Sequence, residues 1–267
     1  MAGSRDDITV WTVMWRPLAC IVGLAALLYV SFCVYLYLDQ RNLLYFPEAT
    51  HIDATDTNFS LASGQFQLKG CVFNGEQPDA LLYFGGNAEN LGTERNSIKA
   101  MFPARAIYLV PYRGYGPNGG EPTEKALFSD ALALFDNVHA HHAKIAVIGR
   151  SLGSGVASYL ASQRPVEKLA LVTPFDNLAN VAQSHYPMAP VGWLLKDRYD
   201  SLRYLKNFIS PILIIRAEDD EVVPPESTDR LIAGLPKKPS VIMIKNAGHN
   251  SVSDDPAYAG ALSSFVQ

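Results

Sequence analysis

Ser151 stands in Gly149-Arg150-Ser151-Leu152-Gly153, between an apolar run at 144–148 and a stretch of helical character. A serine hydroxyl becomes a useful nucleophile only when a base removes its proton, and its usual chemistry is then attack on an acyl carbon. The G-x-S-x-G pattern alone is cheap, with about one chance match per ten chains of this length. Its placement carries the information. A nucleophile held at a tight strand-to-helix turn needs small flanking residues, because the strained backbone packs against the next strand and helix. Such a turn exposes the hydroxyl at the carboxyl edge of a sheet, where a helix amino terminus favours a developing oxyanion.

Six histidines are candidates for the base. His139, His141 and His142 end a helical stretch, where cations complement the helix dipole, and are expected to be solvated. His51 precedes the core and His185 enters an irregular region. His249, in Ala247-Gly248-His249-Asn250, follows the last apolar run and falls in a loop at the same sheet edge as the serine. The orienting carboxylate belongs between them in chain order, at the end of a strand. Glu218-Asp219-Asp220-Glu221 follows the apolar run at 212–215, and four like charges have no use as a packing element. Asp220 is the first choice, Asp219 the second, and Asp176 a distant third.

The elements that position these residues are strands and helices in alternation. Runs at 58–63 and 66–74 read as an antiparallel pair turning at Ser63-Gly64. Buried strands follow at 80–84, 106–110, 144–149, 168–173, 211–216 and 240–245, with helices predicted at 90–101, 122–141, 152–162, 176–184, 225–233 and 257–266. This pattern predicts an α/β fold with a mostly parallel central sheet and helices on both faces. Residues 186–207, with two prolines and Trp193, fit the alternation poorly and are expected to form a short lid or a connecting helix.

Residues 18–38 form twenty-one positions without a charge, about 30 Å as a helix and enough to cross a bilayer. Trp11 and Trp15 before it and Tyr35 and Tyr37 at its end suit interfacial belts. The run is longer than the apolar region of a cleaved signal peptide and lacks a small-residue cleavage site, so an uncleaved anchor is expected. Arg5 and Arg16 before it against Arg41 after it favour a cytoplasmic amino terminus and an extracytoplasmic body. The expected division is therefore a flank at 1–17, a transmembrane anchor at 18–38, a linker at 39–57 and one domain at 58–267. Without the anchor the remaining chain is about 20% charged, close to an ordinary globular enzyme. A net charge of −4 leaves no surplus of Lys and Arg to bind nucleic acid. Cys20 and Cys33 fall in the span, and Cys71 alone in the body reads as a small core residue. Nothing here sets an oligomeric state.

Four motifs give the segment from about residue 41 to 267 its resemblance to the α/β-hydrolases, above all the membrane-anchored, depalmitoylase-like α/β-hydrolase-domain proteins and their bacterial relatives. They are Phe84-Gly85-Gly86-Asn87-Ala88-Glu89-Asn90, Tyr112-Arg113-Gly114-Tyr115-Gly116, the Gly149–Gly155 turn and Gly248-His249-Asn250. The family acid stands four residues before the Pro of a D-x-x-V-P pattern, which is Asp220 before Pro224. The resemblance implies a Ser151–His249–Asp220 triad with main-chain oxyanion donors at Leu152 and Asn87. Two positions depart from the family: Gly85 replaces a His that braces the first loop, and Pro111 replaces an Asp. Arg113 is expected to be structural. The implied activity is hydrolysis of a carboxylic ester or thioester, on a small-molecule or lipid acyl substrate, with no metal or cofactor. The alternatives are a serine aminopeptidase, with Glu89 or Glu121 anchoring the substrate amine, and a non-catalytic anchored scaffold.

Overall fold

The computed structural model of the protein describes residues 6–267, with side chains from residue 15 onward. Arg5 and the side chain of Trp11, both invoked above at the membrane boundary, lie outside the described residues. Helix α1 runs Asp6–Leu44. An 18-residue apolar window of it has a mean hydropathy of 2.3 and none of that window is buried, so the helix is long and apolar enough to cross a bilayer and is no core helix.

Behind it, β1 (Phe59–Ser63) and β2 (Phe66–Phe73) form a hairpin whose turn needs Gly64 at φ 59°. Next come β3 (Ala80–Phe84), α2 (Leu91–Met101), β4 (Ala106–Leu109), α3 (Glu124–His139), β5 (Ile145–Arg150), α4 (Leu152–Gln163) and β6 (Lys168–Val172). Helices α5 (Leu178–His185), α6 (Val191–Leu194) and α7 (Ser201–Leu205) lead to β7 (Ile212–Ala217), α8 (Pro225–Gly234), β8 (Ser240–Ile244) and α9 (Pro256–Val266). Several helices start at side-chain caps: Asn90, Thr123, Asn177 and Asp255 each accept a first-turn amide.

The strands form one eight-stranded sheet in the order β1-β2-β4-β3-β5-β6-β7-β8. The β1–β2 and β2–β4 pairs are antiparallel and all others parallel. Strand alternation divides the core. Leu82, Val147, Leu171 and Ile214 pack on the face that carries α3 and α4, while Leu81, Ile148, Val172 and Ile215 pack on the face that carries α2 and α9. Burial on both faces explains why β3, β5 and β6 read as continuous apolar runs. Cys71 is a buried core residue, as its setting predicts.

Two expectations are corrected. His142 is not solvated: it is buried, with Nδ1 2.9 Å from the Gln77 carbonyl oxygen and Nε2 2.8 Å from the Tyr108 hydroxyl. The helix ends at His139, and the chain then turns His142 inward toward these partners. Residues 39–57 are not a loose linker. The helix continues through Leu44, and Tyr45, which is buried, brings its hydroxyl to 2.8 Å from the Tyr199 hydroxyl while donating to Asp197 Oδ2 at 3.2 Å. The Phe46 amide donates to the Tyr115 hydroxyl at 3.0 Å and Thr50 Oγ1 to the Glu89 carbonyl at 2.7 Å. The apolar and aromatic residues 43–46 have a surface to bury against, so the end of α1 is packed onto the body. Residues 186–207 form α6 and α7, and α6 lies beside α1.

Replacing Tyr45 by Phe leaves the Tyr199 and Asp197 side chains short of a buried partner. A loss of about 1–3 kcal/mol is expected, read as a lower thermal midpoint of the detergent-solubilised protein. An unchanged midpoint would show that the segment is a passive tether.

Candidate active site

Strands β5, β7 and β8 are parallel, so their carboxyl ends open on one edge of the sheet. Ser151 follows β5 directly and caps α4, with φ 50° and ψ −117°, a conformation that L-residues seldom hold without enforcement. Its amide donates to the Val172 carbonyl at 2.9 Å, and its carbonyl accepts the Ser154 amide at 2.8 Å. Glycine is required on both sides. A Cβ on Gly149 would collide with the Gly153 carbonyl, and one on Gly153 would collide with the carbonyls of Phe84 and Gly85 at the end of β3.

His249, in the loop after β8, brings Nε2 to 2.9 Å from Ser151 Oγ. Its Nδ1 lies 2.9 Å from both carboxylate oxygens of Asp220. The Asp220 side chain is itself fixed, because Oδ1 accepts the amides of Val222 at 3.0 Å and Val223 at 2.7 Å. Ser151, His249 and the Asp220 side chain are all nearly buried, so their hydrogen bonds are sheltered from competing water. Asp219 is exposed and only its amide is engaged, with the Ala247 carbonyl. Asp176 is elsewhere, in an ion pair with Arg230 at 2.7 Å and hydrogen bonds to Ser227 and Asn180. The geometry thus brings together Ser151, His249 and Asp220 and leaves both alternatives out.

Asn87 and Leu152 line the same cavity as Ser151. Leu152 opens α4, where first-turn amides have no intrahelical acceptor. The Asn87 loop is held from several sides. Tyr112 donates to the Gly85 carbonyl at 2.7 Å and Tyr115 to the Asn87 carbonyl at 2.9 Å, while Asn87 Nδ2 donates to the Leu44 carbonyl at 2.8 Å. Burial raises both phenols well above their ordinary range, which keeps them as donors.

The missing family His has a structural counterpart. Glu89 folds back so that Oε2 accepts the Gly86 amide at 2.7 Å and Oε1 the Tyr83 hydroxyl at 2.6 Å. A side chain at position 85 would approach that carboxylate to 3.1 Å, so Gly85 makes room for Glu89 to brace the loop. Arg150 pairs with Glu89 at 3.5 Å and donates to the Asn250 carbonyl at 3.2 Å, tying the first loop to the His249 loop. Burial works against its charge, yet Glu89 and the neighbouring tyrosines hold it firmly protonated. Glu89 is therefore buried and engaged, unavailable to a substrate amine, and Glu121 is exposed away from the cavity lining. Arg113 is structural: it pairs with Asp130 at 2.5 Å and lies over the Phe66 ring. Sequence reasoning missed the bracing roles of Glu89, Tyr112 and Tyr115, although the glycine at 85 and the paired tyrosines were visible signals.

The cavity has a volume of about 480 Å³ and is mostly apolar, and one wall is unexpected: Leu36, Gln40, Leu43 and Leu44 of α1. Helices α5 and α6 supply the opposite side through Leu178, Val181, Val191 and Leu194. Among the described residues no group of three or more His, Cys, Asp or Glu converges as a metal site.

A central, mostly parallel sheet with this site at its carboxyl edge is the architecture of the α/β-hydrolases. A hydrolase from Pseudomonas aeruginosa superimposes with a TM-score of 0.62 at 19% identity, covering 78% of this chain and 98% of that one. No family model matches the chain. Its sequence is 32% identical to the uncharacterized protein Rv2307c of Mycobacterium tuberculosis, over 86% of this chain and 87% of that protein. It is 29% identical to the alpha/beta hydrolase domain-containing protein aho-3 of Caenorhabditis elegans, over 70% and 57% of the two chains. It is 32% identical to the lysophosphatidylserine lipase ABHD12 of Rattus norvegicus, over 54% of this chain and 42% of that one. The chain belongs to the α/β-hydrolase superfamily.

Two outcomes test this reading of the site. Tyr115→Phe releases the Asn87 carbonyl; kcat should fall roughly 10-fold, as for partial loss of an oxyanion donor, with KM nearly unchanged, whereas a purely structural role would lower only the melting temperature. For Asp176, burial disfavours its charge, but the bonds from Arg230, Ser227 and Asn180 outweigh burial and hold its carboxyl below the usual range. Its stabilisation is thus present above the unfolded pKa and lost as pH falls through the lower folded value. Asp176→Asn should melt lower than wild type at neutral pH, with the gap closing below about pH 4; a gap constant with pH would contradict the assignment.

Proposed function

We propose that this hydrolase is a membrane-anchored serine hydrolase that cleaves a carboxylic ester or thioester bearing a long acyl chain. The observation that carries the reading is the pair of 2.9 Å contacts from His249 to Ser151 and Asp220, at the floor of an apolar cavity walled by the end of α1. Its volume of about 480 Å³ lies within the usual range for a small-ligand site.

In the proposed reaction His249 Nε2 takes the Ser151 proton as Oγ attacks the acyl carbon. Asp220 keeps the Nδ1 proton in place and stabilises the imidazolium. The main-chain amides of Leu152 and Asn87 receive the oxyanion, each such donor contributing about 3–4 kcal/mol in comparable enzymes. His249 then protonates the departing alcohol or thiol, and a water activated by the same imidazole hydrolyses the acyl-enzyme.

The anchor reading rests on α1, whose Ile21, Leu24, Leu27 and Leu28 are exposed and would be costly to hydrate. A cleaved leader fits poorly with a helix whose end lines the cavity. By the positive-inside rule the body lies on the extracytoplasmic side. A lipid ester suits this setting, and the rat relative bears the name of a lysophospholipid lipase. The aminopeptidase reading loses support with Glu89 and Glu121 both unsuited, and a scaffold would not need the aligned hydrogen bonds of Ser151, His249 and Asp220.

A fluorophosphonate probe should label the wild-type protein and leave Ser151→Ala unlabelled. The same substitution should lower turnover of p-nitrophenyl acyl esters by about 10⁴–10⁶-fold, with long chains preferred to acetate in detergent or vesicles. An unlabelled wild-type protein would sink the serine mechanism, and a uniform preference for acetate would sink the acyl-chain assignment.

A further inference from the structure

Ten consecutive residues at 186–195, Tyr-Pro-Met-Ala-Pro-Val-Gly-Trp-Leu-Leu, carry no charged side chain, and Lys196-Asp197-Arg198 follow at once. The structure gives this segment two properties that a water-facing loop does not combine. Its large apolar residues point outward: Trp193 is 90% exposed and Met188 77%. Its carbonyls are nevertheless largely paired from within the protein. Every carbonyl from residue 186 to 192 has a donor. Gln183 Nε2 reaches those of Tyr186, Pro187 and Ala189, at 3.0–3.3 Å. Tyr29 donates to Met188 at 2.9 Å and Arg198 to Gly192 at 2.5 Å. The carbonyls of Pro190 and Val191 take amides of the α6 turn. Pro187 and Pro190 have no N–H to satisfy. A short irregular segment in water leaves such carbonyls to the solvent; an unbroken run of paired carbonyls beside exposed apolar side chains suits a hydrocarbon setting.

The contact with α1 sets the depth. Met188 is bonded to Tyr29, in the middle of the span at 18–38, while the far end of the segment meets Gln40, which donates to the Leu194 carbonyl at 3.1 Å and accepts the Lys196 amide at 2.7 Å. From Tyr29 to Gln40 is about 16 Å of helix. Lys196 lies over the Tyr37 ring at 4.0 Å and Arg41 pairs with Asp197, so the charges gather at the level where the apolar span ends.

We infer that residues 186–195 are a second membrane element, dipping into one leaflet alongside α1 with Met188 and Trp193 in the acyl-chain region. The inference rests on the anchor proposed above. It also gives the cavity a lateral entrance: Leu36 and Gln40 of α1 and Tyr186, Val191 and Leu194 of the dipping segment line one cavity that ends at Ser151. An acyl chain in the leaflet then reaches the nucleophile without crossing water.

The test uses the full chain in phosphatidylcholine vesicles, with Trp11→Phe and Trp15→Phe so that Trp193 is the remaining tryptophan. Lipids brominated at mid-chain carbons should reduce its emission about two-fold or more relative to unlabelled lipid, as for a side chain buried below the headgroups. In a parallel sample, Trp193→Phe in the wild-type background should remove the same fraction of blue-shifted emission, which guards against misfolding of the double variant. Carbonate extraction of each sample separates the two readings. Protein that resists extraction but whose Trp193 is quenched by aqueous acrylamide and not by bromine overturns the dipping segment alone. Protein released by carbonate overturns the anchor and the inference together.

Discussion

At the carboxyl end of β3 the carbonyls of Phe84 and Gly85 lie against Gly153, on the first turn of α4, so closely that any side chain would collide with them. That approach lets Ser151 occupy a left-handed turn between β5 and α4 with its hydroxyl at the open sheet edge. It requires β3 and β5 to be neighbours in the sheet, and it requires glycine at 149 and 153. The strain at Ser151 is tolerated because the core beneath it is dense: Leu82, Val147 and Leu171 are fully buried under α3 and α4.

The loop that carries Asn87 shows how a missing side chain is replaced. With no histidine at 85, the bracing falls to Glu89 from within the loop, to Tyr112 and Tyr115 from the loop after β4, and to Arg150 from the end of β5. The Asn87 loop, the Tyr112 loop, the Ser151 turn and the His249 loop thus share one hydrogen-bonded frame. In the proposed mechanism this frame holds the oxyanion donors in register with the nucleophile, which matters because donors placed in advance need no reorganisation during reaction.

Helix α1 is more than an attachment. Its last turns cover the cavity, and Tyr45, just past its end, is locked into the buried pair with Tyr199 and Asp197. The body is therefore held at a fixed attitude to the helix, and a site whose wall is part of the proposed anchor is matched to substrates that are themselves held in the bilayer. Helix α6 follows α1 for the same reason, since Leu36, Ala189 and Val191 bury one another.

Much of this was legible in the chain. Burial on both faces produced the apolar strand runs, helical periodicity marked the stretches between them, and Ser151, Asp220 and His249 stood at strand ends in the order that their chemistry requires. These signals are local, because periodicity, turn chemistry and polarity act over a few residues. What only the tertiary structure decided lies between residues far apart in sequence. Asp220 was separated from Asp219 by which carboxylate faced His249; Glu89 passed from substrate anchor to loop brace; His142 turned inward; and residues 39–57 became part of the body and cavity wall. Most depend on contacts between residues far apart in the chain, up to the 156 positions between Gln40 and Lys196, which no local pattern encodes, because a side chain's role is set by the partners that the packed fold presents to it.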